Sequence, residues 1–331
     1  MHDRRHNGYP PGRSIRFAWL IAVLMMLMFA YQPAQAGLCR QWSPAMQVGT
    51  LDHTIIPEAS GLAVSRQFAD RLYHVNDSGD GPFFYLTDLQ GRHTQKVRID
   101  GFHATRADVE DISLGPCVPH TSCLFVGNIG DNLRIRQSIE VWVIEELQSY
   151  GQSVTPLHRL ILRYPDGPHD AEGLAVHPNG DIYVLTKETE AHSKQAVPAK
   201  LFLLPGSQWQ LQPTARHTMT LVGEIDLPAF AVFDGSQWGA LATGLDIAQH
   251  GKSFLVLTYR HAWEFHIDLA EHPASSPLKL VEGQNYQRIR LLPLRQQEAI
   301  AYIPDSSSLL YTTESHRTGG AIMRVDCMEA R

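Results

Sequence analysis

Several features are missing from this sequence, and each absence removes a class of protein. There is no C-x-x-C, so zinc-ribbon and thioredoxin-type sites lack their ligands. No G-x-S-x-G, H-E-x-x-H or EF-hand loop occurs, which removes the motif-bearing forms of those enzymes and calcium proteins. The run DIAQHGKS from Asp246 ends like a phosphate loop but lacks the first glycine. No long stretch has helical periodicity. Lys/Arg runs are also absent, and acidic residues outnumber basic ones 34 to 28 in the 331-residue chain. The first 36 residues hold four Arg against one Asp, leaving residues 37–331 with 24 basic and 33 acidic side chains, a net −9. That balance excludes phosphate-backbone binding, so no nucleic-acid partner is expected. With 44% hydrophobic residues and only four Cys, the chain can bury a large core and is not a disulfide-dependent scaffold.

The N-terminus reads as a secretory signal over residues 1–36. Arg4, Arg5, Arg13 and Arg16 make a basic start, Phe17 to Tyr31 is an apolar or small run, and Ala34-Gln35-Ala36 is an A-x-A site. The competing reading is a membrane anchor, but 15 residues rise roughly 22 Å, short of a ~30 Å hydrocarbon core. A periplasmic or secreted, monomeric protein is therefore expected, with no membrane association after cleavage and one domain over 37–331. An oxidising compartment lets cysteines pair. Cys117 and Cys123 bracket a five-residue loop, and Cys39 and Cys327 lie at the two ends of the exported chain. Free buried thiols are the alternative.

A two-strand unit recurs five times: SGLAVSRQFADRLYHVND from Ser60, EDISLGPCVPHTSCLFVGNI from Glu110, EGLAVHPNGDIYVLTK from Glu172, TGLDIAQHGKSFLVLTY from Thr243 and EAIAYIPDSSSLLYTTE from Glu298. A third alternating segment follows each copy and a fourth follows four of them, among them HTMTLVGEI from His217. Such segments between Gly/Pro/Asn/Asp turns predict antiparallel strands, and Asn179-Gly180 predicts a two-residue hairpin. Four-stranded units in radial array make a β-propeller. The expectation is an all-β propeller of five detectable blades, with a sixth able to hide in the longer 172–243 interval. The fifth copy ends after three strands, so the segment from Met46 to Ile56 is expected to supply the missing outer strand. That closure brings Cys39 to Cys327. A β-sandwich is the rival architecture.

In a blade the start of the inner strand and the end of the second strand share one mouth of the channel. Strand starts then form a ring of Ser60, Glu110, Glu172, Thr243 and Glu298, with Glu58, Asp108, Asp170, Leu241 and Gln296 two residues earlier. Second-strand ends add Asn76, Asn128, Thr186, Thr258 and Thr313, then Asp77, Ile129, Lys187, Tyr259 and Glu314. Crowded carboxylates raise one another's pKa or need a cation, and oxygen donors suit a hard one, calcium first. Glu58, Asn76, Glu110, Asn128, Glu172 and Glu298 are the candidate ligands. Ser60, Asp77, Asp111, Asp131, Lys187, Tyr259, Arg260 and Glu314 are candidate contacts to a small molecule, peptide or glycan, and Asp170 with His169 is the candidate proton-transfer pair. A salt-bridged plug using Lys187 and Arg260, or purely structural carboxylates, are the open alternatives. Ser60 and Ser78 would be nucleophiles only with a His or Lys in reach.

As a set, EASGLAVS with NDSGD, ADVEDI with GNIGDN, YPDGPHDAEGLAV with LTKE, TGLDIA with LTYR and EAIAYIPD with TTES resemble a family of exported bacterial β-propellers without a settled function. The resemblance spans nearly all of residues 50–326. The chain is more distantly similar to calcium-dependent propeller hydrolases of the gluconolactonase and paraoxonase type and to propeller phytases. That resemblance implies an axial calcium and hydrolysis of a small ester, lactone or phosphoester. The ligand parts would fall on Glu172, Asn128, Asn76 and Asp77. The chain departs from those enzymes in its three repeat-equivalent glutamates and its five repeats. A non-catalytic propeller binding a peptide, glycan or envelope partner is the alternative.

Overall fold

The computed structural model describes residues 39–77, 79–103, 107–117, 122–227, 238–272, 283–304, 308–315 and 317–330; the signal-like segment and Ser78 lie outside them. Among these residues the strands form five sheets, each starting from a copy of the repeat. The inner strands are β3 (Ala59–Val64), β7 (Val109–Pro116), β12 (Ala171–Val176), β17 (Ala242–Ile247) and β21 (Gln297–Tyr302). They neighbour one another in the cyclic order β3, β7, β12, β17, β21 and back to β3. The molecule is a five-bladed β-propeller.

Five apolar clusters hold the ring together, one at each blade interface. Tyr73 and Phe84 of blade 1 meet Leu124 and Trp142 of blade 2 in one. Leu62 and Leu72 of blade 1 meet Leu310 and Ile322 of blade 5 in another, which closes the circle. Both faces of each blade are covered, so even second strands such as β4 (Leu72–Asn76) and β13 (Ile182–Thr186) are buried throughout. This explains why these strands read as apolar runs more than as clean alternation.

The closure follows the sequence expectation with two refinements. β2 (Met46–Thr50) pairs antiparallel with β23 (Ala321–Ala330), but the strand stops at Thr50, because Asp52 accepts backbone N–H groups from Thr54, Ile55 and Ile56 in a turn. A further strand, β1 (Cys39–Trp42), pairs with the other half of β23, and Cys39 is disulfide-bonded to Cys327. Cys117 is bonded to Cys123. No helix among the described residues is long and apolar enough to cross a membrane.

The 172–243 interval holds no sixth blade among its described residues. Its described extra length is a one-and-a-half-turn helix, α1 (Gly206–Leu211), whose Trp209 is fully buried and donates its indole N–H to the Gly180 carbonyl at 2.9 Å. The 217–225 segment is also not one strand. Arg216–Thr218 extends blade 2 in parallel, and Thr220–Ile225 is the outer strand of blade 3. At Asn179-Gly180 the loop is longer than two residues, since His177 N–H bonds the Asp181 carbonyl and Gly180 sits at φ 92°.

Candidate functional site

One irregularity recurs in all five blades and builds the site. The ladder between inner and second strands slips between Ala59 and Gly61, Val109 and Asp111, Ala171 and Gly173, Ala242 and Gly244, and Gln297 and Ala299. The residue left without a partner is Ser60, Glu110, Glu172, Thr243 or Glu298. A bulge bends the strand and re-aims the extra side chain, so the bulge explains why the repeat places its polar residue there. All five ring side chains are buried.

The ring divides by residue type. Its two hydroxyls latch adjacent blades: Ser60 Oγ donates to the Glu110 carbonyl at 2.8 Å and to its Oε2 at 3.1 Å, and Thr243 Oγ1 donates to the Gln297 carbonyl at 2.8 Å. Ser60 is thus spent on Glu110, and among the described residues no histidine or lysine hydrogen-bonds its hydroxyl. The three glutamates feel one another's charge. Burial first, then Glu172, Asp77 and Asp108, hold Glu110 well above the ordinary carboxylate range against the pull of Lys187. Burial, then Glu172 and Glu314, do the same to Glu298. Glu172 forms an ion pair with Lys187, and burial still pushes it up to about 7. Glu314 also rises to about 7, through burial and then the charges of Asp77, Glu58 and Glu172.

Within this mouth, Asp77, Asp108 and Glu110 each offer a carboxylate oxygen, all within 4.8 Å of one another. Backbone hydrogen bonds set the geometry. Asp77 N–H donates to the Glu58 carbonyl at 3.0 Å and Gly130 N–H to the Asp108 carbonyl at 3.1 Å. A Cβ on Gly130 would meet the Glu110 carboxylate and the Asp108 carboxyl at less than contact distance, so a larger residue there would displace the side chains of the cluster. Asp108 is pushed up to about 6 by burial and by Asp77 and Asp170. Among the described residues the nearby cations are engaged: Lys187 by Glu172, and Arg136 by the Asn128 side chain and the carbonyls of Asn128 and Gly130. Three close carboxylates beside Gly130 are a donor set that fits a hard divalent cation.

Other sequence candidates have different partners. Asn76 and Asn128 do not aim free carbonyl oxygens at the axis; each accepts the backbone N–H of Glu58 or Asp108 in its own blade, at 3.3 and 2.9 Å. Asp111 is a staple instead of a ligand contact. Its carboxylate is fully buried and accepts the N–H groups of Ile112 and, across the blade gap, Leu174, both at 2.8 Å. Asp246 repeats the device, accepting N–H groups from Ile247 and from Tyr302 of blade 5. Asp131 shapes the loop that follows blade 2's second strand, accepting Arg136 N–H at 2.7 Å and donating its own N–H to Asp170 Oδ1 at 2.8 Å. Tyr259 brings its hydroxyl to 3.5 Å from Lys187, and Arg260 lines a groove beside it.

His169 and Asp170 part company. Asp170 interacts with Lys187 and Asp108 and is held above its ordinary range by burial. His169 Nδ1 meets Glu188 at 2.6 Å and Nε2 meets Asp166 at 2.9 Å, while the ring packs on Tyr164 and Phe202. Both nitrogens are occupied, so His169 has no lone pair to offer a substrate. Burial lowers its pKa, but the two carboxylates outweigh that and leave it raised. Sequence reasoning missed Glu188, 19 residues away, and passed over Asp108 as a ligand. Only the repeat position of Asp108, two before Glu110, could have flagged it.

Comparison with known proteins adds little beyond the chain trace. No family model and no curated protein matches the chain. Solved structures that are similar include the PQQ-bound aldose sugar dehydrogenase of Streptomyces coelicolor, at 12% identity, TM-score 0.48, over 88% of this chain and all of that one. A glucose dehydrogenase matches at 13% identity and TM-score 0.44, over 85% of this chain and 99% of that one. The β-propeller domain of Myceliophteria thermophila Cps50 (Swd1) matches at 11% identity and TM-score 0.41, over the same shares. Nothing about the chemistry of this chain follows from them.

Proposed function

We propose that the axial mouth is the centre of an exported, calcium-assisted hydrolase acting on a small ester, lactone or phosphoester. The observation that carries this reading is the convergence of half-buried Asp77 and Asp108 with buried Glu110, beside two described cations, Lys187 and Arg136, whose hydrogen bonds go to other groups. A bound divalent ion would polarise a substrate carbonyl or phosphoryl oxygen. Of the chain's own groups, Asp170 suits proton transfer, because burial raises its carboxyl and one oxygen is fixed by Asp131 N–H. Lys187, held by Glu172 beside the Tyr259 hydroxyl, supplies fixed positive charge to a developing oxyanion. Export agrees with the signal-like N-terminus and with two disulfides.

The test is calorimetric titration with calcium, elemental analysis of the purified protein, and turnover on an ester, lactone and phosphoester panel with and without EDTA. Asp108→Asn with Glu110→Gln should weaken calcium binding by at least about a hundredfold while the fold remains. Protein that binds no calcium and hydrolyses nothing in the panel would overturn the proposal. A second reading, a non-catalytic propeller that binds a peptide, glycan or envelope partner, is favoured by Leu133 and Ile135. They stand 79% and 66% exposed on the loop at this mouth. It would show as binding that Glu110→Gln with Glu172→Gln abolishes, with no turnover in any variant.

A further inference from the structure

The N-terminal segment closes the ring in two parts that are held by different means. β2 is fastened by backbone groups. Beyond its ladder to β23, Thr50 N–H donates to the Gln90 carbonyl of blade 1 at 3.1 Å, and Leu51 N–H donates to the Gly320 carbonyl at 2.8 Å. The approach to blade 1 is close: a Cβ on Gly49 would collide with the Gln90 backbone, and one on Gly91, at φ 79°, with the Thr50 carbonyl. β2 thus ties blade 5 to blade 1 through groups that oxidation and reduction leave alone. β1 reaches the other way. Cys39 N–H donates to Glu264 Oε2 at 3.3 Å, Gln287 Nε2 donates to the Arg40 carbonyl at 2.8 Å, and Trp42 and Ala45 pack on the apolar cluster between blades 4 and 5. β1 therefore lies as a strap over the blade 4–5 seam, against β20 (Tyr286–Ile289), the outer strand of blade 4. Glu264 also accepts the Tyr302 hydroxyl at 3.2 Å, and Tyr302 is the last residue of β21, so the strap sits at the end of the seam away from the axial mouth.

The strap's noncovalent hold is weak. Its ladder with β23 covers four residues and is irregular between Cys39 and Gln41 and again between Gln41 and Trp42. Arg40 and Gln41 are exposed, and the buried Trp42 indole N–H has no acceptor among the described residues, which opposes docking. The Cys39–Cys327 disulfide is the firm link, and holding the strap beside its seat raises its local concentration there. We propose that β1 is a redox-conditional latch: the ring closes through β2 whatever the state of the cysteines, and β1 docks over the blade 4–5 seam only once Cys39 and Cys327 are joined. The joining is thiol–disulfide exchange, in which the two thiols pass two electrons and two protons to an external disulfide. Ser43, whose N–H bonds to the Asp326 carbonyl at 2.7 Å, is the pivot about which a released strap swings. An oxidising compartment thus completes a seam that a reducing one leaves open. The latch does not depend on what the axial mouth binds.

The test is hydrogen exchange followed by mass spectrometry on the oxidised wild type and on Cys39→Ser with Cys327→Ser. In the variant, amides of residues 39–42 should exchange about tenfold faster or more, while those of 46–50 keep their wild-type protection. A second route starts from folded protein and so does not require the variant to fold. In Cys117→Ser with Cys123→Ser, dithiothreitol can cleave only the Cys39–Cys327 bond, yielding two thiols and the cyclic disulfide of the reagent. The same loss over 39–42 is expected on reduction, and reoxidation should restore it. Wild-type protection of 39–42 in the reduced protein would overturn the proposal, because docking would then need no disulfide. Equal loss over 46–50 would overturn it too, since the two strands would be one unit. Global unfolding on reduction would show that β2 cannot close the ring by itself, and is the third result that contradicts the latch.

Discussion

Two groups of carboxylates at this end of the propeller start from the same chemistry and behave in opposite ways. Around His169, burial pushes Glu188 up, but the imidazolium and Arg134 at 3.2 Å outweigh it and leave the carboxyl below its ordinary range. Asp166, exposed and bonded to His169 and Lys200, is likewise lowered, its slight desolvation outweighed by those two partners. At the axis, burial acts on Asp108 and Glu110 with other carboxylates as neighbours, and both rise. Burial is common to the two; the partner decides the sign. A buried acid with its own cation is finished structure. A buried acid among acids stores unfavourable energy that a proton or a metal ion can release.

The contrast can be broken from the paired side first. His169→Gln removes the hydrogen-bond partner that Glu188 shares with Asp166 and leaves Glu188 with Arg134, so a loss of roughly 2–3 kcal/mol in unfolding free energy is expected. A variant as stable as the parent would mean that Glu188 does not need the imidazolium. From the unpaired side, Glu110→Gln should stabilise calcium-free protein at pH 8 by about 1–3 kcal/mol, and should lower the melting temperature relative to the parent once calcium is added. Destabilisation in both conditions would show that the Ser60 bond matters more than the crowding.

The pH profile sharpens the same comparison. The axial acids have folded-state pKa values raised above their unfolded values, to about 6 for Asp108 and about 7 for Glu172 and Glu314. Folded protein therefore holds more protons than unfolded protein between about pH 4 and 7, and axial stability falls as pH rises through that window. Glu188 has the opposite sign: its contribution is present above its unfolded pKa and is lost as pH falls through its folded one. Denaturant melts of calcium-free protein at pH 5, 6.5 and 8 should show declining stability, with a shallower decline in Glu110→Gln; a profile unchanged by the substitution would contradict the assignment. The smallest effect is expected at Lys200, whose pair with Asp166 is partly solvated. Lys200→Met should change stability by less than about 1 kcal/mol.

Much of this was legible without coordinates. The five copies, the strand pairs, the shared mouth and the joining of Met46–Thr50 to the last blade all come from patterns repeated along the chain, and the pairing of Cys39 with Cys327 follows from that joining. The acidic ring was legible as well, because repeat positions superpose in space. What the repeat hides is how equivalent positions diverge. Asp111 and Asp246 sit where other blades also have polar or small residues, yet both turn onto the backbone of the next blade. Asn76 and Asn128 look like donors of ligand oxygens and serve as hydrogen-bond latches to their own inner strands.

Local order was thus written in the sequence itself: apolar segments of strand length, turn residues between them and a fivefold recurrence determine strands, register and ring, since these depend on neighbours along the chain and on one repeated interface. The tertiary structure alone decided which carboxylates meet a cation and which meet one another. Those encounters join residues distant along the chain, at separations of 19 residues for His169 with Glu188 within blade 3 and 50 for Ser60 of blade 1 with Glu110 of blade 2. Charge interaction depends on distance and burial, and neither is readable until the ring has closed.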